Sequence, residues 1–242
     1  MKVRMYNVGF GDCFCLRDRK KSLLVDFGTN NSRIEGRPRR EIFDVIISDL
    51  STIKSKNLLL THFHMDHLSG LLYMMKKKDI SVDFGKIYLP DVFSKKEMSR
   101  TLVLLLLADL LKESGLPSRQ VSLFALVDAL LENKQNVELL SRGKLFENKY
   151  QALWPDTDVI RKETDEVYNR ICEDGKFKEV MDVLLEFAEK LRLIVWSMTA
   201  EGNKPAETVE KETDLTASEL TEQPEVRQKI IWAYVYEREF RR

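Results

Sequence analysis

The chain has 242 residues, 43% of them hydrophobic, and its 39 basic residues balance its 39 acidic ones. This length and composition allow one good-sized domain, or one domain with an appendage. The balanced charge gives no general attraction to nucleic acid or to a membrane surface, and the longest apolar run, residues 102–108, is too short to span a bilayer. Three cysteines make an odd number and no secretory leader opens the sequence, so a reducing, cytosolic location is predicted.

Strands and helices are predicted to alternate in the N-terminal part of the chain. The apolar pattern predicts strands at 2–8, 13–17, 22–27, 57–61 and 86–89, and helices at 41–53 and 68–78. A turn with Gly9 and Gly11 joins the first two strands, since glycine suits a positive φ or a close backbone approach. The third strand ends at Asp26, where a buried carboxylate needs a partner. Such a succession is typical of a layered α/β domain.

Helical patterns dominate the later part of the chain. Helices are predicted at 95–114, 118–133, 158–173 and 177–196, with short strands about Gly143 between 137 and 154. Residues 199–226 are rich in Glu, Thr, Lys, Ser and Pro, so they predict a flexible linker or an exposed loop. The β-branched and aromatic residues at 229–236 predict a closing strand. The predicted division of the chain is therefore 1–157, a helical insertion or cap at 158–198, the linker at 199–226, and the strand within 227–242.

Two cysteines lie on the predicted second strand. Cys13 and Cys15 are two positions apart, so their side chains share one face of that strand. They can ligate metal in principle. Buried cysteine that packs as a small hydrophobe is the favoured interpretation.

The loop predicted at 29–40 is rich in arginine. Its four guanidinium groups belong to Arg33, Arg37, Arg39 and Arg40. Guanidinium groups bind phosphate in a fork geometry, so this loop is a candidate for binding an anionic substrate such as a phosphodiester. Glu35 and Glu41 dilute the positive charge, and a solvated surface remains the favoured interpretation.

All three histidines of the chain lie in one stretch of the sequence, residues 61–67, read THFHMDH. His62 and His64 are two apart just beyond a predicted strand, so they project to one side and can share one ion. Asp66 and His67 lie where the chain turns into a helix and can reach a second ion. Imidazole and carboxylate are the ligands that suit zinc, manganese or iron. The stretch therefore predicts a metal site, and a histidine-rich polar loop is the plain alternative.

This stretch resembles the metal-binding signature of the metallo-β-lactamase superfamily. Residues 7–13, read NVGFGDC, resemble the glycine-rich turn between the first two strands of that fold, in the version of the DNA-uptake competence proteins and related phosphodiesterase-like members. Residues 23–28, read LLVDFG, resemble the next strand, whose aspartate lies behind the metal site. The resemblance covers residues 1–90 and extends weakly to Pro155.

The resemblance implies an αββα sandwich of α/β class, here incomplete or carrying a helical insertion. It also implies hydrolysis of a phosphodiester, or of another ester or amide bond, by a hydroxide held between two divalent ions, with zinc the first choice. His62 and His64 would hold one ion, and Asp66 and His67 the other. Asp66 would also orient or deprotonate the attacking water, and Asp26 would orient the histidine loop. The arginine loop would border the mouth of the site, which favours a phosphodiester or nucleotide substrate.

The superfamily's complete site takes further histidines and a bridging aspartate from later strands, and this sequence has no histidine after His67. Asp91, Asp156 and Asp158 are possible substitutes, although such aspartates are usually structural. We expect that the chain is the N-terminal portion of the fold, either truncated, excised or completed by a second chain or a missing C-terminal portion. An altered ligand set is a second interpretation, and a non-catalytic module that binds a partner is a third.

Overall fold

The computed structural model describes residues 1–18, 21–77, 83–113, 122–173 and 175–202. These described residues fall into two compact units, one within Met1–Pro90 and Ala129–Glu138, and one within Asp91–Asp128 and 139–202. The strands are β1 (Lys2–Met5), β2 (Phe14–Asp18), β3 (Lys21–Val25), β4 (Arg33–Ile34), β5 (Arg37–Pro38), β6 (Ser55–Leu59), β7 (Ile87–Pro90), β8 (Val137–Leu140), β9 (Leu145–Phe146) and β10 (Tyr150–Gln151). The helices are α1 (Arg39–Ser51), α2 (Met65–Met75), α3 (Ser99–Glu113), α4 (Ser122–Glu132), α5 (Thr157–Cys172) and α6 (Gly175–Ser197).

The first unit is built on a six-stranded mixed sheet with the strand order β1-β2-β3-β6-β7-β8. Strands β1, β2 and β3 pair antiparallel, whereas β3, β6 and β7 pair parallel. The expected α/β fold class is therefore confirmed. Parallel pairing brings the carboxyl ends of β3 and β6 to the same edge of the sheet. Asp26 follows the end of β3, and the histidine stretch at 61–67 follows the end of β6.

One face of this sheet carries the core of the first unit. Cys15, Leu24, Leu58 and Ile87 are neighbours across four successive strands and are fully buried. The helices add their own apolar stripes, which in α1 are Ile42, Phe43, Ile46, Ile47 and Leu50 and in α2 include Leu68, Leu71 and Leu72. The α1 stripe agrees with the one predicted from its helical period.

The opposite face of the sheet is partly exposed to solvent at the β1 edge. Val3 and Met5 on β1 are exposed, and Phe14 on β2 is half-buried. The second sheet of the expected αββα sandwich is not formed by the described residues, in which the remaining strands pair only as the hairpins β4–β5 and β9–β10. The described residues therefore support the fold class and one layer of strands.

The second unit is mainly helical. Helix α3 packs against α5 and α6, which in turn pack against each other. Leu102, Val103 and Leu106 of α3 are fully buried, as are Ala188 and Val195 of α6. The two predicted helices at 158–173 and 177–196 are present, and Gly175 begins α6 instead of separating two helices. The predicted role of 158–198 as an insertion or cap stays a prediction.

Two local predictions differ from the structure. Helix α2 begins at Met65 and not near residue 68, because its first turn carries polar residues that give no apolar period. The loop predicted at 29–40 contains the β4–β5 hairpin, whose turn is made by Glu35 and Gly36 at φ of 48° and 79°. The predicted helix start at Ser118, nearly all of the linker, and the closing strand at 227–242 lie outside the described residues. Among the helices that the structure describes, none is long and apolar enough to cross a membrane.

Candidate metal centre

The site begins with the parallel pairing of β3 and β6. Asp26 follows β3 directly, and its backbone N–H donates to the carbonyl oxygen of Leu59 over 2.8 Å. At this point Asp26 adopts a φ of 54°, a left-handed conformation that aspartate tolerates better than most residues. The turn directs the carboxylate towards the segment that follows β6, where Thr61 and the histidines lie.

The Asp26 carboxylate accepts three hydrogen bonds, although its residue is only 2% exposed. Oδ1 accepts from the Thr61 backbone N–H over 2.8 Å, and Oδ2 accepts from the Thr61 hydroxyl over 2.7 Å. Oδ2 also lies 3.0 Å from Nδ1 of His67. A buried carboxylate is costly unless such partners satisfy it, so this network explains why an aspartate is tolerated here.

The hydrogen-bond network assigns the tautomers of two imidazoles. Thr61 has one hydroxyl proton, and that proton goes to Asp26. The Thr61 oxygen must therefore accept from Nδ1–H of His62, which lies 3.0 Å away. His67 donates its own Nδ1–H to Asp26, because an ionised carboxylate can only accept. Both rings then keep an Nε2 lone pair, which is what a metal ligand needs.

The structure brings the three histidines together. The ring centroid of His62 lies 4.9 Å from that of His64 and 3.7 Å from that of His67. Asp66 Oδ2 lies 3.7 Å from Nε2 of His67. Burial lowers the pKa of His62 below its usual value, and the neighbouring His67 and His64 lower it further. A lowered pKa keeps the ring neutral, which is the form that binds metal.

The first turn of α2 holds Asp66 and His67 in place through its backbone. Phe27 N–H donates to the carbonyl oxygen of His67 over 2.7 Å, and Asp12 N–H donates to that of Asp66 over 3.3 Å. Glycines allow this approach: a β-carbon on Gly28 would lie 2.6 Å from Leu68 N, and one on Gly11 would lie 2.7 Å from Asp66 O. Gly11 and Gly28 are therefore required by close packing against the start of α2.

The sequence interpretation missed one carboxylate of this site. Asp12 Oδ2 lies 3.6 Å from Nδ1 of His67, and ligand atoms of Asp12, Asp26 and His67 all lie within 4.8 Å of one another. Asp26 already accepts three hydrogen bonds, so we assign this trio to the orientation of His67 and not to the ion itself. The signal in the sequence was the aspartate that closes the glycine turn. Among the described residues, no such tight group of ligand atoms includes His62, His64 or Asp66. Side-chain rotation would have to bring each pair of ligands to its own ion.

The four arginines predicted to bind substrate lie on and beside the β4–β5 hairpin, and all four are exposed. Arg33 donates to the carbonyl oxygen of Gly36. Asn7 Nδ2 donates to Glu35 Oε1 over 2.8 Å, which connects the hairpin to the residues that lead into the glycine turn. In the part of the chain that the structure describes, no hydrogen bond or ion pair joins an arginine of this group to the histidines.

The later aspartates lie in the second unit, where two of them accept local hydrogen bonds. Asp91 accepts from the backbone N–H and the hydroxyl of Ser94 over 3.1 and 2.7 Å. Asp156 caps α5 by accepting from the N–H groups of Asp158 and Val159, and it also accepts from Arg142 over 3.0 Å. Asp158 is exposed in the first turn of α5. Asp91 and Asp156 thus carry the structural role that is usual for such aspartates.

The cysteines of β2 are placed as packing residues. Cys13 and Cys15 are free and buried. Burial raises the pKa of Cys13 above its usual value, and the nearby Cys15, Asp26 and Asp12 raise it further. A thiol with a raised pKa is a poor metal ligand because the thiolate is the form that binds.

Comparison with known proteins agrees with this geometry. Residues 6–91 match the metallo-beta-lactamase superfamily. The resemblance to that superfamily is confirmed over that range. The chain is also similar to Endoribonuclease YSH1 of Mycosarcoma maydis, with 32% identity over 77 residues. That similarity covers 32% of this chain and 8% of the relative, and no solved structure matches the chain.

Proposed function

We propose that this chain is a metal-dependent hydrolase whose site is formed by His62, His64, Asp66 and His67. The observation that carries the proposal is the Asp26–Thr61 network, which leaves the Nε2 lone pairs of His62 and His67 free beside a carboxylate. The superfamily match supports metal-dependent hydrolysis at the level of the superfamily. Donors of this kind fit zinc first, with manganese or iron as alternatives.

Each residue has a separate role in this proposal. His62 and His64 would hold one ion, and His67 with Asp66 would hold the other. An ion bound here supplies Lewis acidity and lowers the pKa of water towards neutrality. Asp66 orients the attacking water and accepts its proton, while Asp26, Thr61 and Asp12 keep the imidazoles in the required tautomer and orientation.

We further propose that the substrate is a phosphodiester, in preference to another ester or an amide. The exposed arginines of the β4–β5 hairpin provide guanidinium groups that suit phosphate. The relative named as an endoribonuclease, a class that cleaves phosphodiesters, agrees with this choice. A cytosolic location is part of the same proposal.

A second candidate is a non-catalytic module that binds a partner, or a half-fold completed by another chain or a C-terminal portion. The observation that favours it is the lack of any histidine after His67, which leaves each ion with two ligands from the motif. A catalytic zinc usually has three protein ligands and an open position. Metal content distinguishes the two candidates.

The test measures zinc and manganese binding by the purified 242-residue chain, together with cleavage of bis(p-nitrophenyl) phosphate and of p-nitrophenyl acetate. Because the motif gives each ion only two ligands, we expect weak metal binding and slow cleavage, with the diester cleaved in preference to the acetate. His62→Ala with His64→Ala should remove one of the two ions, because it removes both histidines that hold that ion, and Asp66→Asn should remove cleavage. Asp182→Asn, an exposed site on α6 in the second unit, is the matched control. A wild-type chain that binds no metal supports the module instead.

A further inference from the structure

Phe10 is an aromatic side chain left in water at the tip of the glycine turn. It is 80% exposed, although it lies between two glycines that pack closely against the rest of the first unit. A large apolar ring left in water forgoes the free energy of burying it. Neither the core of the unit nor the metal centre uses this ring, so its position calls for another explanation.

The backbone beneath the ring is held by hydrogen bonds. Phe10 N–H donates to Asn31 Oδ1 over 2.9 Å, and the Phe10 carbonyl oxygen accepts from Asn30 N–H over 2.8 Å. The hydroxyl of Thr29 donates to the same oxygen over 3.2 Å. Gly9 has a φ of 71°, which allows the tight turn. The ring is therefore presented on a fixed backbone, and only two side-chain torsions need be ordered when a ligand binds.

The backbone that carries the ring lies close to the start of α2, where Asp66 and His67 are. Asp12 is two residues further along the chain, so its Cα is at most about 7.6 Å from that of Phe10. The Asp12 carboxylate in turn lies 3.6 Å from Nδ1 of His67. Bases stacked along a strand are spaced about 3.4 Å apart, so a group on the Phe10 ring would be one to a few nucleotides from the histidines.

Positive charge is available on the neighbouring hairpin. Residues 33–41 contain four arginines against Glu35 and Glu41. The Asn7–Glu35 hydrogen bond attaches this hairpin to the start of the turn that carries Phe10. The side chains of Arg37 and Arg39 make no hydrogen bond or ion pair with the described residues. An exposed ring beside unpaired guanidinium groups is the arrangement that binds single-stranded nucleic acid, by stacking bases and by attracting phosphates.

We infer that Phe10 is a stacking platform for a base of single-stranded nucleic acid whose phosphates lie along the Arg33–Arg40 segment. This inference rests on the proposed function, because it identifies the phosphodiester at the same site as part of a nucleic-acid strand. The platform positions the strand and takes no part in the chemistry. Its aromatic face tolerates any base, so the binding has little sequence preference.

The experiment measures binding of a fluorescein-labelled 12-nucleotide oligothymidine to the full chain by fluorescence anisotropy, with EDTA present so that no metal contributes. Phe10→Ala should weaken binding about 5- to 150-fold, the range expected for one lost base stack. Phe10→Trp should retain affinity and should be quenched by the bound strand, whereas Phe10→Leu should lose most of the affinity because it keeps an apolar surface without a ring. Val45→Ala, an exposed apolar position on α1, should bind as the wild type does.

A second pair of variants tests the charge. Arg37→Ala with Arg39→Ala should weaken binding and flatten its dependence on salt concentration, because fewer phosphate contacts release fewer counterions.

Equal affinity of the wild type and Phe10→Ala would overturn the inference, as would a wild type that does not bind the strand. If the wild type binds metal and cleaves the diester while Phe10→Ala binds the strand normally, only the stacking role fails. If the wild type binds no metal but Phe10→Ala loses affinity for the strand, the stacking role stands and the hydrolase proposal fails.

Discussion

The Thr61 hydroxyl donates to Asp26 Oδ2 over 2.7 Å, and this single hydrogen bond determines what the next residue can do. Because the hydroxyl proton is committed to Asp26, the Thr61 oxygen can only accept from His62, 3.0 Å away. Asp26 acts on His67 directly through the same carboxylate oxygen. One buried carboxylate therefore orients two imidazoles, one of them through a neighbouring hydroxyl.

Thr61→Val should disturb His62 without removing any histidine. With no acceptor to hold a proton on Nδ1, the ring should populate both tautomers, and zinc affinity should fall about 10- to 100-fold. Long-range proton–nitrogen NMR of histidine-labelled protein measures the tautomer, and the presence of only three histidines keeps the spectrum simple. Thr61→Ser retains the hydroxyl and should retain both properties. A valine variant whose His62 stays in the Nδ1–H form would contradict the assignment.

Gly28→Ala should damage the start of α2. The new β-carbon would lie 2.6 Å from Leu68 N and 2.7 Å from Asp66 O, so the backbone must move. We expect a loss of about 1–3 kcal/mol in the free energy of unfolding, measured by urea denaturation, together with weaker zinc binding. Gly175→Ala is the control, because its β-carbon would meet nothing within 4 Å. The close-packing argument fails if both substitutions leave the unfolding curve unchanged.

Tyr6 should make the protein sensitive to alkali. Burial raises the pKa of Tyr6 above its usual value, and its hydrogen bond to Asp49 raises it further. A pKa that is higher in the folded state gives stability that is complete below the unfolded value of about 10 and is lost as pH rises beyond it. Between about pH 9 and pH 11, wild type should lose more free energy of unfolding than Tyr6→Phe, in which Arg4 and Arg17 still pair with Asp49. Equal losses in urea denaturation would show that Tyr6 does not contribute.

Cysteine labelling should separate the three thiols. Cys13 and Cys15 are buried, and the raised pKa of Cys13 keeps it protonated, whereas Cys172 is partly exposed. Iodoacetamide at about pH 8, near the usual thiol pKa, should therefore modify Cys172 in the native protein, with the other two protected until urea unfolds the chain. Peptide mass spectrometry locates the label. Rapid native labelling of Cys13 would contradict the packing interpretation.

Most of the fold prediction came from the periodic spacing of apolar residues along the sequence. The α1 stripe of Phe43, Ile46, Ile47 and Leu50 was predicted and is buried, because a helical repeat is visible in sequence without any partner. The start of α2 was predicted three residues too late. Its first turn is held by backbone contacts from the segment after β3, including Phe27 N–H to His67 O, and such contacts leave no repeat in the sequence.

The sequence by itself determined that His62, His64, Asp66 and His67 would lie near one another, because they occupy one short segment beyond a strand. Only the tertiary structure decided which atoms they present. Thr61 and Asp26 are 35 positions apart, and they meet because β3 and β6 pair in parallel and end at the same edge of the sheet. The same edge brings Asp12 to His67 and leaves Phe10 in water, since the sequence alone does not specify which distant backbone will cover a side chain.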